Sequence, residues 1–68
     1  MANTKERLGK KIQRLRKNLD ITQEELAEKT NMSRTHIGHI EQGRKSPSIK
    51  VIEKLARVLK VKVGELFS

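Results

Sequence analysis

The spacing of apolar residues constrains this chain more than any other feature. It follows a helical period from one end to the other and is cut into short runs by capping and breaking residues. Leu8, Ile12, Leu15 and Leu19 stand at i, i+4, i+7 and i+11, one stripe of a helix whose other faces carry Lys5, Lys10, Lys11, Arg14 and Lys17. This predicts helix 1 over about residues 4 to 18. Thr22 can cap a second helix, and Glu25, three residues on, can reach back to complete a capping box. Leu26 and Ala27 supply that helix with a buried side, and Asn31 tolerates the left-handed conformation that ends it. Ser33 caps a third helix with Ile37 and Ile40 pointing inward, and Gly43 stops it. After the loop RKSPS, Ser48 caps a fourth helix whose inner stripe reads Ile49, Ile52, Leu55, Ala56 and Leu59. The tail VKVGELFS reads as a short fifth helix, with Leu66 and Phe67 closing the core. The expected fold is all-α, a compact five-helix arrangement over residues 1–68 as one domain, with no strand signal.

A chain of 68 residues buries only roughly 60% of its unfolded surface, and this one has no cysteine. Neither a disulfide framework nor a thiolate zinc site can then compensate for a small core, which leaves tight helix packing or dimerisation. No apolar run is long enough for a signal peptide or a membrane span, so a soluble cytoplasmic protein is expected. The net charge is +8, and Phe67 is the sole aromatic residue. This balance favours a polyanionic partner, nucleic acid before membrane, while the lack of aromatics argues against stacking on single strands. The charge is unevenly placed. Residues 1 to 19 sum to +6, residues 20 to 42 to −3 and residues 43 to 68 to +5, so positive charge flanks an acidic middle.

The stretch SRTHIGHIEQG, Ser33 to Gly43, poses the sharpest question. His36 and His39 lie three residues apart on one helical face, as a metal site requires, yet no carboxylate or cysteine is placed to complete the ligand set. No metal and no cofactor are expected. Ser33 beside the histidines resembles a nucleophile and base only on paper, because a domain this small offers little pocket and the serine is better explained as a cap. No enzymatic role is expected. Gly38, inside a helix, costs about 1 kcal/mol against alanine, which a close approach of helix 3 to helix 2 or to a bound molecule would explain.

Two short helices joined by a three-residue turn, the second capped and polar near its start, describe a helix-turn-helix over about residues 22 to 42. TQEELAEKTNMSRTHIGHIEQGRKSPS, continued through IKVIEKLARVLKV and GELF, resembles the Cro/lambda-repressor-like helix-turn-helix family, the xenobiotic-response-element type. The likeness covers about residues 7 to 67. It rests on the Thr-Gln start, Leu-Ala, the Ile-Glu-x-Gly end and the Pro-Ser entry to helix 4. Asn31 departs from it, standing where the family usually has glycine.

The resemblance implies double-stranded DNA as partner, read by Arg34, Thr35, His36 and His39 on the exposed face of helix 3. Arg34 has the strongest physical case, since a guanidinium can bond both O6 and N7 of guanine. Gln23, Ser33, Arg44, Lys45 and Ser46 are implied as contacts to the sugar-phosphate backbone, and Arg16 with Glu41 as a partly buried structural ion pair. Lys10, Arg14 and Lys17 are either phosphate contacts or an ordinary solvated face. Val51, Val58, Val63, Leu66 and Phe67 are candidates for a homodimer interface, and family members of this length bind inverted half-sites as two-fold dimers. The implied function is a sequence-specific regulator of the phage-repressor or restriction-modification-controller kind, a repressor or an activator that also meets RNA polymerase. With no ligand domain in the sequence, occupancy is expected to follow protein concentration. An antitoxin-like protein-interaction module is the alternative, and a membrane partner is disfavoured because the apolar stripes are needed for the core.

Overall fold

A computed structural model describes residues 3–68, which form helices α1 (Thr4–Asn18), α2 (Gln23–Thr30), α3 (Arg34–Glu41) and α4 (Ile49–Val58) and a 3-10 helix (Val63–Phe67). Among the described residues there is no strand. The α-helices thus number four among the described residues, and the fifth element, the short helix of the tail, is a 3-10 helix.

Every α-helix begins on a side-chain cap. Asn3 and Glu6 exchange hydrogen bonds as a capping box for α1, and Thr22 and Glu25 do the same for α2. The hydroxyl of Ser33 accepts from the His36 amide at 3.0 Å, and that of Ser48 from the Val51 amide at 3.3 Å. The four α-helices also end alike. Asp20, Asn31, Gly43 and Lys60 each take a positive φ, between 56° and 77°. The amides of Ile21, Met32, Arg44 and Val61 then bond back to the carbonyls of Arg16, Ala27, His39 and Ala56. This is the Schellman arrangement. Ile21, Met32 and Val61 press against the core after their turns, whereas Arg44 is exposed.

The core is built from Leu8, Ile12, Leu26, Ala27, Ile37, Ile40, Ile52, Leu55, Ala56, Leu59 and Leu66. Several assignments from periodicity are corrected. Ile49 is 72% exposed, because it is the first residue of α4 and precedes the turn that reaches the core. Leu19 caps the end of α1, where the chain swings away through Asp20, and is exposed. Phe67 is also exposed, while Leu66 is buried at 1%, since so short a 3-10 helix turns one large side chain inward. Leu66 is therefore unavailable as a dimer contact. Val51 and Val58 are half-buried against the core, and Val63 is exposed.

Gly9, which periodicity does not single out, decides how α1 meets α3. A Cβ there would fall on the Ile40 carbonyl oxygen and lie 2.7 Å from that of Glu41, so only glycine allows this approach. At the turn after α3, Gly43 combines its positive φ with a second close approach, its Cβ position lying 2.9 Å from the Glu6 Cα. Together these contacts seat the first half of α1 on the last turn of α3.

Candidate nucleic-acid interface

Helix α3 buries Ile37, Ile40 and Glu41 and turns its remaining residues outward. At 100° per residue, Thr35, His39 and Gln42 form a line along the middle of the outer face. Arg34 lies on the edge nearest α2 and His36 on the opposite edge. Arg34, Thr35 and Gln42 are exposed, and His36, Gly38 and His39 are half-buried. Among the described residues no set of three metal-ligating side chains includes the two histidines. Gln42 is the member of this line that the sequence reading passes over, although its i+7 spacing from Thr35 was a readable signal.

The helix is held from beneath by a buried polar network. Arg16 Nε donates to Glu41 Oε2 at 2.7 Å and Arg16 Nη2 to Glu41 Oε1 at 3.1 Å, while Arg16 Nη1 donates to the Ile21 carbonyl at 2.8 Å. Gln23 Nε2 supplies a further bond to Glu41 Oε1 at 3.0 Å. The carboxylate thus accepts three bonds while 5% exposed, and no buried side-chain polar atom among the described residues lacks a partner. Charge-assisted, two-pronged bonding of this kind fixes orientation as well as distance. It ties the end of α1, the start of α2 and the end of α3 at one point.

Gln23 also lines a shallow opening together with Arg16, Thr22, Glu24 and Arg34. Helix α2 begins at this opening, so the structure brings Gln23 and Arg34 together beside the positive end of a helix dipole. Glu25 on the same first turn has its carboxyl held below the usual glutamate range, chiefly by the hydrogen bond from the Thr22 amide and then by the Thr22 side chain. Ser33 uses its hydroxyl oxygen as the α3 cap, leaving its O–H free to donate. Arg44, Lys45 and Ser46 are exposed on the turn that leaves α3, beside Gln42. Gly38 has no atom of another element within 4 Å of where a Cβ would stand, which removes a close approach to α2 as the reason for it.

Two helices joined at a fixed angle by a tight turn, the second with a free polar face, are also what a comparison with known proteins finds. The family model described as helix-turn-helix matches residues 12–66. The chain belongs to the helix-turn-helix family. Among curated relatives of this helix-turn-helix chain, the control protein C.MunI of a Mycoplasma species is 36% identical over the whole chain and 93% of the relative. The immunity repressor of Bacillus phage phi105 is 37% identical over 87% of this chain, which spans only 41% of that repressor's length. The solved restriction-modification controller protein C.AhdI from Aeromonas hydrophila superposes with a TM-score of 0.88 at 32% identity, covering 91% of this chain and 94% of its own. Among the described residues no helix is long and apolar enough to cross a membrane.

Proposed function

We propose that this DNA-binding transcriptional regulator works by occupying operator DNA as a homodimer, with α3 of each protomer laid in the major groove. The observation that carries the reading is the free polar face of α3, fixed from below by the Arg16, Glu41 and Gln23 network. Arg34, Thr35, His36 and His39, joined by Gln42, read base edges. Arg34 bonds guanine, and Thr35 offers its methyl to thymine or its hydroxyl to a base or phosphate. Gln23, Ser33, Arg44, Lys45 and Ser46 hold the sugar-phosphate backbone, which positions the helix and supplies most of the salt-dependent affinity. Glu24 and Glu25 lie in the first turn of α2, where they favour its dipole.

The dimer forms through Val63 and Phe67 with the flank of α4 at Val51 and Val58, apolar side chains that the core does not cover fully. Two-fold symmetry then calls for inverted half-sites with centres about 34 Å apart, or a multiple of that. The protein works in the cytoplasm as a controller or repressor. It meets RNA polymerase only where its operator stands upstream of a promoter. The relatives named above are regulators and not enzymes, and binding is the whole of the proposed activity.

Selection of bound sites from random duplex DNA, followed by salt titration, tests this reading. The expected result is a palindromic consensus with a steep loss of affinity as salt rises. Absence of enrichment over several rounds contradicts it.

A further inference from the structure

Three basic residues of α1, Arg7, Lys10 and Arg14, lie off the flank that packs on α3. Gly9 and Arg16 mark the flank of α1 that meets α3, through the Ile40 and Glu41 carbonyls and the Glu41 carboxylate. Lys11 marks the flank that meets the 3-10 helix, where its ammonium lies 3.4 Å from Glu65 Oε2. At 100° per residue Lys10, Arg14 and Arg7 fall on the outer side, about 100°, 140° and 160° around the helix from Gly9. These three, with Lys11 and Ser68, line one concavity. Arg7, Lys10 and Arg14 are exposed, and among the described residues the ion pairs are Lys11–Glu65 and Arg16–Glu41, so the three outer cations have no acidic partner. The nearest acid along α1, Glu6, is engaged in the N-terminal capping box.

A run from Arg7 to Arg14 covers about 10 Å along the helix axis, the rise of about three phosphates along one strand. We infer that the outer face of α1 is a second DNA-backbone surface, which grips the phosphates of another duplex while α3 reads its operator. The inference rests on the regulator reading above, since a bridge needs one duplex already held by α3. Contact here is electrostatic and indifferent to sequence, because phosphates carry no base information. Its consequence is that operator-bound protein gathers a second stretch of duplex, near or distant along the same molecule.

The test uses the whole chain and two readouts. Affinity for a single duplex carrying the selected site is measured by anisotropy. Bridging is measured by capture of a labelled duplex of unrelated sequence on the immobilised selected-site duplex at low salt. The triple variant Arg7→Gln, Lys10→Gln, Arg14→Gln is expected to lose capture by about tenfold or more while its single-duplex affinity stays within about twofold of the parent. Glutamine forms helix well and these side chains make no buried contact, so the fold should survive. A second variant, Arg7→Lys with Arg14→Lys, keeps the charge and should keep capture. Undiminished capture by the triple variant overturns the inference, because bridging would then come from two α3 faces of a dimer. Equal loss in both readouts also overturns it, by placing α1 on the operator duplex itself. Parent protein that binds one duplex but captures no other overturns the inference and leaves the regulator reading standing, whereas protein that binds no duplex overturns both.

Discussion

The guanidinium of Arg16 is committed three ways, twice to Glu41 and once to the Ile21 carbonyl, at a site where the arginine is 8% exposed. Arg16→Ala leaves the buried Glu41 carboxylate with Gln23 alone and should destabilise by about 3–5 kcal/mol, read as a shifted urea midpoint. In a domain of this size that is a large share of the total stability. An unchanged midpoint would show the pair to be decorative. Gly38 makes the opposite case. With open space at its Cβ position, Gly38→Ala should stabilise the free protein by about 1 kcal/mol and raise its thermal midpoint, and a lowered midpoint would reveal a contact that is not apparent. Residues of these two kinds differ in legibility. Thr22, Ser33 and Ser48 each act on the amide three positions on, so local sequence is enough to find them. Gly9 acts on carbonyls of α3 that are distant along the chain, and nothing in its neighbours points there.

Helix ends show the same division. Asn31 and Gly43 are readable as left-handed residues, but Asp20, whose type adopts that conformation only occasionally, and Lys60, whose type disfavours it, take it as well. They do so because Ile21 and Val61, one position on, gain a place against the core that offsets the local cost. The stripe on α4 was legible and its first member was not, since a period says which residues share a side and not where the neighbouring helix begins to cover it. Where α1 crosses α3, Gly9→Ala forces a methyl onto backbone that cannot rotate away. It should cost about 1–3 kcal/mol or more by denaturant titration and should loosen α3, while retention of full stability would show that the two helices part freely. At the start of α2 the depressed carboxyl of Glu25 sets a pH dependence. A glutamate whose folded pKa is lowered contributes stability above its ordinary range, and the contribution is lost as pH falls through the folded value. Glu25→Gln keeps an acceptor for the Thr22 amide but cannot titrate. The fall in thermal midpoint from neutral to acid pH should therefore be smaller than in the parent, and an identical fall would assign the acid sensitivity elsewhere.

Over the whole molecule, charge and topology fit one another. The acidic middle of the sequence is largely α2, whose carboxylates sit at its own N-terminus or on its outer face, and positive charge lies on α1 and on the chain from Arg44 onward. The all-helical fold was legible because each helix carries its own period and cap. The division of that charge into a face beside α3 and a face turned from it was not, because it depends on how α1 is rotated against its neighbours. The central claim is that the outer face of α3 reads bases while the turn after it holds the backbone. Affinities of Arg34→Ala and Lys45→Ala for the selected duplex and for a scrambled one, across a salt series, test it most directly. Arg34→Ala should cost about 1–3 kcal/mol on the selected site, relax preference at one base position and leave the scrambled duplex nearly unaffected. Lys45→Ala should weaken both duplexes alike and reduce the salt slope by about 1. Equal losses on the two duplexes for Arg34→Ala would contradict the claim.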